Sequence, residues 1–268
     1  MAENIINSVG DYLFEMRSRG NYTFTLNDIR EKFQCSDKAL FQAIYRYKQN
    51  NRIIQIRKEF YGIASPEYST GSVFSTYLFL DSLMKSLGKP YYLGLINAAA
   101  LHGAAHQQPM VDYVVTATPV PKNIINKKMK LYFVSKTEWN KADIVQKKTQ
   151  AGYINVSSPE LTALDLLTFS GKFGVNYVTT ILSELHEEMC PSRLAKTAER
   201  YYKTSSIQRL GYIFDCFLEQ EKLANVLYKS LSSKKMSPAR LSSQKARKGT
   251  FNNKWKVIVN MELEPDLW

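Results

Sequence analysis

Cysteine is scarce in this chain. Cys35, Cys190 and Cys216 are odd in number and far apart, which excludes a disulfide framework and predicts a reducing, cytoplasmic setting. Histidine is equally scarce. His102 and His106 stand four apart, but Gly103 between them favours a helix end, and no cysteine or carboxylate lies nearby in sequence, so no metal site is expected and His102 reads as a helix-end residue. His186-Glu187-Glu188 lacks the second histidine of a metalloprotease helix and reads as a polar helix face. Gly171 and Gly174 lack the Lys-Ser or Lys-Thr that completes a phosphate-cradling loop. The late acids Glu262, Glu264 and Asp266 lack the lysine that would help a nuclease hold a metal and orient water. No catalytic residue and no cofactor are therefore expected, and the chain does not read as an enzyme.

Long apolar runs are also missing. A membrane span needs roughly 18 such residues, and the nearest stretch, Val73 to Leu87, is interrupted by Ser75, Thr76, Asp81 and Lys85. It predicts a buried amphipathic helix ended by Gly88. No basic leader precedes the first helix, which opens with Glu3, so no signal peptide is expected either. The last absence is one of sign: residues 222–256 hold ten basic side chains and no acid, and they account for most of the net charge of +12. Lys234, Lys235, Arg240, Lys245, Arg247 and Lys248 lie among Ser, Pro and Gly, which predicts that Ser232 to Gly249 is an exposed connection. Such a segment either attracts a nucleic-acid backbone or is simply solvated.

What is present is concentrated near the N-terminus. Ile5, Ile6, Val9, Tyr12, Leu13 and Met16 recur at intervals of three and four, the stripe of an amphipathic helix stopped by Gly20. After the short run Tyr22 to Phe24, Thr25 is an N-cap for a second helix, Leu26 to Phe33, with Asp28 at its positive end. Cys35 and Ser36 turn the chain. Ser36 caps a third helix reaching about Asn50, whose inner side is Leu40, Ala43, Ile44 and Tyr47. The other side carries Lys38, Gln42, Tyr45, Arg46 and Lys48. Lys, Arg and Tyr suit phosphates, and Arg and Gln suit base edges, so this is the candidate recognition helix. Ile54 and Ile56 then alternate as a strand, Arg57, Lys58 and Glu59 form a polar tip, and Tyr61 and Ile63 return. Glycine is the usual tip residue, and here the nearest is Gly62.

The order is that of a winged helix-turn-helix, with Ser36, Lys38, Gln42, Tyr45, Arg46, Lys48, Arg57 and Lys58 as the DNA-binding set. A three-helix module that binds protein shares the pattern. The chain reads as α+β, with a winged helix over residues 1–65 and a mixed α/β domain over 66–268 in which helices flank a small sheet. In the larger domain, helices are predicted at Leu95 to His102, Ser158 to Phe169, Asn176 to Met189, Ser192 to Tyr202, Ser206 to Gln220 and Leu223 to Leu231. Strands are predicted at Val111 to Ala117, Leu131 to Ser135 and Tyr153 to Val156. The alternating Trp255, Val257, Val259 and Met261 reads as a last strand returning to the earlier sheet. Asp165, set among Leu161, Leu164, Leu166 and Leu167, is either a buried, hydrogen-bonded acid or lies on the polar side of its helix.

The runs Tyr91-Tyr92-Leu93-Gly94-Leu95 and Ala98-Ala99-Ala100-Leu101-His102-Gly103, then Ser158-Pro159-Glu160 with Ala163-Leu164-Asp165-Leu166-Leu167, and Trp255-Lys256-Val257 with Asn260, resemble the AbiEi antitoxins of bacterial abortive-infection systems. The resemblance covers nearly the whole chain. It implies a winged helix joined to an α/β C-terminal domain. It also implies a transcriptional autoregulator that binds inverted repeats in its own promoter DNA and counteracts a nucleotidyltransferase-like toxin, in a type IV system where the two need not form a stable complex. The alternative is a winged-helix repressor whose C-terminal domain senses a ligand or processes nucleic acid.

Overall fold

Ser8, Thr25 and Ser36 each sit in extended backbone and accept a hydrogen bond from the amide three residues on, and each opens a helix. In the computed structural model, which describes residues 8–33, 36–64, 74–104, 109–201 and 203–264, these helices are α1 (Val9–Ser18), α2 (Leu26–Lys32) and α3 (Asp37–Gln49). Strand β1 (Thr23–Thr25) precedes α2, and the hairpin β2 (Ile53–Arg57) and β3 (Phe60–Ile63) follows α3. There follow α4 (Leu80–Ser86), β4 (Tyr91–Leu93), α5 (Leu95–Leu101), β5 (Asp112–Thr116), β6 (Ile124–Asn126), β7 (Met129–Ser135), β8 (Ile144–Thr149) and β9 (Gly152–Ser157). The C-terminal part comprises α6 (Pro159–Thr168), α7 (Val175–Leu185), α8 (Pro191–Arg200), α9 (Thr204–Cys216), α10 (Glu221–Ser230), β10 (Ala239–Arg240), β11 (Thr250–Asn252) and β12 (Val257–Val259). The fold is thus mixed α/β with several sheets, as the sequence predicts. No described helix is long and apolar enough to cross a membrane.

Two compact units result. One comprises Met1–Tyr91, Thr116–Ser135 and Gln146–Asn155, the other Tyr92–Val115, Lys136–Val145 and Val156–Trp268. The expected division after residue 65, and the expectations placed on Ile5, Ile6, Cys35, Val73, His106 and Asp266, fall outside the described residues.

The first unit begins with the order α1-β1-α2-α3-β2-β3, and its sheet runs β1-β3-β2 with both pairings antiparallel. The middle strand, β3, is buried at all four positions. Tyr12 and Leu13 of α1, Ile29 of α2, Leu40 and Ile44 of α3, and Phe24, Ile53 and Tyr61 of the sheet form one core. Truncating a buried aliphatic such as Ile44 to Ala would cost about 2–5 kcal/mol. Gly62 is needed for contact: a Cβ there would lie 2.6 Å from the Phe74 ring. Farther along this unit β6 and β7 form an antiparallel hairpin, Ile124 opposite Leu131, and Lys128 in its turn donates to Asn51 Oδ1 at 2.7 Å. The single helix expected from Val73 to Leu87 is instead a short 3-10 turn, Thr76–Leu78, followed by α4. Phe79 sits between them with φ near −130°, outside the α-helical range, which breaks the helical path.

In the second unit α6 is nearly all interior, buried from Pro159 to Leu167, and α5, α7, α8 and α9 pack against it. Its cap is the expected one: Ser158 accepts from Leu161 N, and Pro159 occupies the first helical turn. Burial on all sides forces its acids to find partners. Glu160 Oε1 accepts from Cys190 N and Arg193 Nε, both at 3.0 Å, and Asp165 is enclosed as described below. Strands β4 and β9 run parallel, Leu93 opposite Val156. Gly103 ends α5 with φ +86, the left-handed conformation that glycine adopts without cost.

Two expectations need correction here. Strand β12 does not return to the earlier sheet; it pairs in parallel with β10 and antiparallel with β11 in a sheet of its own. The stretch Ser232 to Gly249 is not merely an exposed connection, because it contains β10 and the buried Ala239, Leu241 and Ser242. Gly211 of α9 seats this small sheet: its missing side chain leaves room for Trp255, whose ring would lie 1.9 Å from a Cβ placed there.

Candidate nucleic-acid interface

Helix α3 spans about 20 Å at 1.5 Å per residue, long enough to cross a major groove. Its inner face holds: Leu40 and Ile44 are buried, while Ala43 and Tyr47 are partly so. On the outer face Lys38, Gln42, Tyr45, Arg46 and Lys48 are all exposed, Tyr45 by 62%. The start of the helix is tied to α2 by a two-pronged ion pair, Arg30 Nε to Asp37 Oδ1 at 3.1 Å and Nη2 to Oδ2 at 3.3 Å. Ser36 is exposed, and its hydroxyl accepts from Ala39 N at 3.3 Å. Its first role is therefore to cap the helix.

The wing departs in detail from a symmetric hairpin. A register shift between Gln55 and Arg57 inserts a bulge, and Glu59 takes φ 60 where a glycine would be usual. The bulge separates the two predicted tip cations. Lys58 is exposed, whereas Arg57 is half-buried and its Nη1 lies buried with no hydrogen-bond partner. Lys48 reaches from α3 to the wing, donating to Gln55 Oε1 at 2.8 Å, so it bridges the two elements. Lys38, Gln42, Tyr45 and Arg46 thus share the open face of α3, with Lys58 exposed on the wing.

One feature of this surface was missed in the sequence. Phe41 is 47% exposed beside Tyr45, so two aromatic rings stand on the outer face. Its signal was available: Phe41 lies outside the Leu40 and Ile44 stripe and four residues before Tyr45.

Asp165, also weighed in the sequence, lies in the second unit. Asp165 is fully buried and its oxygens are taken: Oδ1 accepts from Lys136 Nζ at 2.6 Å and Tyr201 Oη at 2.7 Å, and Oδ2 from Tyr92 Oη at 2.6 Å. Of the two sequence readings of Asp165, the buried and hydrogen-bonded one holds. Lys136, its charged partner, was not singled out in the sequence. A neighbouring cavity of about 220 Å³ is lined by Lys136, Trp139, Asp143, Arg200 and Tyr201, but the Asp143 carboxylate is held by Arg200 at 2.6 Å and Thr197 at 2.7 Å. Among the described residues no group of three His, Cys, Asp or Glu side chains could hold a metal ion. His102 instead bonds the Ser157 carbonyl at 2.7 Å.

The comparison with known proteins covers the motif residues from Tyr92 to Leu167 and leaves Tyr91, Trp255, Lys256, Val257 and Asn260 outside the matched span. Residues 92–216 match the family model described as the AbiEi antitoxin C-terminal domain. The crystal structure of the RV2827C protein from Mycobacterium tuberculosis is similar in fold, with a TM-score of 0.68 over 92% of this chain and 89% of that chain at 15% identity. At that identity the likeness concerns the fold alone. No curated protein matches the chain.

Proposed function

We propose that this chain, an antitoxin of the AbiEi type by its matched C-terminal domain, represses its own promoter through the N-terminal winged helix and counteracts a nucleotidyltransferase-like toxin. The toxin part rests on the domain match. The DNA part rests on one observation: the cationic flank of α3 is uncovered while Leu40 and Ile44 on its apolar flank are packed in the core. In this reading Gln42 and Arg46 meet base edges, and Lys38, Tyr45 and Lys58 meet phosphates. Ser36 and Lys48 hold the ends of the helix and add backbone contacts, and Arg57 supports the wing from its half-buried position.

The experiment is a titration of inverted-repeat promoter DNA and of random duplex across a range of salt. Arg46→Ala is expected to cost about 1–3 kcal/mol on the promoter and to blur its preference over random DNA. Lys58→Ala is expected to weaken both duplexes alike and to lower the salt slope by about one. Equal losses on both duplexes for both variants would defeat the assignment. For the antitoxin part, co-expression with a nucleotidyltransferase encoded beside this gene should restore growth, and failure of the full chain to do so would remove that half.

A further inference from the structure

The acid-free segment 222–256 contributes Lys235, Arg240 and Arg247 to a cavity of about 460 Å³ whose lining also includes Arg209 of α9. Arg209 is 8% exposed. Its Nε donates to the Arg240 carbonyl at 2.7 Å and its Nη1 to the Leu167 carbonyl at 3.3 Å, so dipoles hold it in place. No described carboxylate forms an ion pair with Arg209, Lys235, Arg240 or Arg247. A buried cation without a counter-ion is costly, and an anion entering the cavity would relieve that cost.

The neighbouring charges point the same way. Burial, and then the Arg240 guanidinium, push the Arg209 pKa down, and burial followed by Arg209 pushes Lys203 down in turn. The cations thus disfavour one another. Helix α9 also starts at this wall: Thr204 and Ser205 line the cavity, and the Lys203 N-cap offers no side-chain acceptor. The positive end of a 13-residue helix therefore adds to the field of the four side chains.

We propose that this cavity binds an oligophosphate, such as the di- or triphosphate group of a nucleotide, with Arg209 at its base and Lys235, Arg240 and Arg247 around it. Four cations match the charge of such a group. Among the described residues the lining contains no aromatic ring on which a base could stack, so its contacts recognise phosphates rather than a base. A duplex phosphate would meet the exposed Lys235 and Arg247 and leave the buried Arg209 unpaired, so a compact ligand fits better than DNA.

The test is calorimetric titration of the full chain with tripolyphosphate, ATP, CTP and a random duplex. Tripolyphosphate is expected to bind once per chain, with ATP and CTP close to each other in affinity. Lys235 and Arg247 are exposed, so Lys235→Gln and Arg247→Gln should leave the fold intact and weaken tripolyphosphate about tenfold each. Arg209→Gln, checked for folding by circular dichroism, should weaken it further. No tripolyphosphate binding to the folded chain, or binding that both surface variants leave unchanged, would overturn the proposal. So would duplex binding that those variants weaken and tripolyphosphate fails to compete. Arg46→Ala should keep tripolyphosphate binding, which lets this proposal and the promoter reading fail separately.

Discussion

Asp165→Asn keeps the size of the side chain and removes its charge. The Lys136 ammonium, 3% exposed and 2.6 Å from Asp165 Oδ1, would then be a buried cation facing a neutral amide. Removing one partner of a buried pair costs about 3–5 kcal/mol. The bonds from Tyr92 and Tyr201 would also pass from a charged to a neutral acceptor, worth about 1 kcal/mol each. These terms share one site and do not add fully, so we expect a loss of about 4 kcal/mol. Against a typical domain stability of about 5–15 kcal/mol, that is a large fraction. Urea unfolding followed by tryptophan fluorescence reads it directly, since Trp139 sits edge-on to Tyr92 with centroids 5.2 Å apart. Adding Lys136→Met to Asp165→Asn removes the stranded charge and should recover at least about 2 kcal/mol. A single variant within about 1 kcal/mol of the parent, or a double variant no better than the single, would refute the structural role of the pair. Unchanged stability with loss of a nucleic-acid-processing activity would instead make Asp165 a reacting group.

Gly211→Ala drives a methyl into the Trp255 ring, at 1.9 Å from its nearest atom, and Trp255 is fully buried; overpacking of this kind costs about 1–3 kcal/mol or more, and an unchanged melting temperature would contradict the contact. Asn260→Ala removes bonds to the carbonyls of Ser242 and Ala246 and from Ser242 N, all at 2.9 Å. Trypsin should then cut at Lys245, Arg247 and Lys248 several-fold faster while global unfolding moves little; equal cleavage rates would count against the staple. For Asp215, burial raises the pKa, but hydrogen bonds from Lys254 and Trp255 and the Lys254 charge together bring it below its ordinary value. A depressed carboxyl pKa contributes stability above the ordinary carboxylate range and loses it as pH falls through the depressed value. Asp215→Asn should therefore lower the melting temperature at pH 7 and flatten the acid limb below about pH 4; parallel acid limbs for the two proteins would be inconsistent with this sign.

How much of this was legible in the sequence depends on how far apart the cooperating residues lie. The helices of the first unit were readable because their signals are local: Thr25 and Asp28 form a reciprocal capping box, and Leu40 and Ile44 fall one turn apart on the buried side of α3. The β2–β3 hairpin was readable from its alternation, but its bulge was not, since it depends on how Arg57 pairs with Phe60 across the turn. Strands β4, β6, β8, β10 and β11 went unassigned. The two-residue β10 and three-residue β4, β6 and β11 are too short to show a period.

The two interior features of the second unit were beyond local reading for a different reason. Asp165 meets Lys136, Tyr201 and Tyr92 from 29, 36 and 73 residues away, and nothing within its own helix marks it as paired. The basic segment is the sharper case. Its composition matches a solvated loop, and judged by propensity alone it should stay outside. Yet Asn260 bonds its main chain, Gln244 donates to the Gly171 carbonyl at 2.7 Å, and Arg209 holds the Arg240 carbonyl. Each of these polar side chains satisfies a backbone group that a loop would otherwise leave to water, and that substitution lets a charged strand sit against a core. Lys254 of this segment pairs with Asp215, but no described carboxylate pairs with Arg209, Lys235, Arg240 or Arg247. A segment with no acid of its own, folded over a buried guanidinium, places its missing negative charge in a ligand.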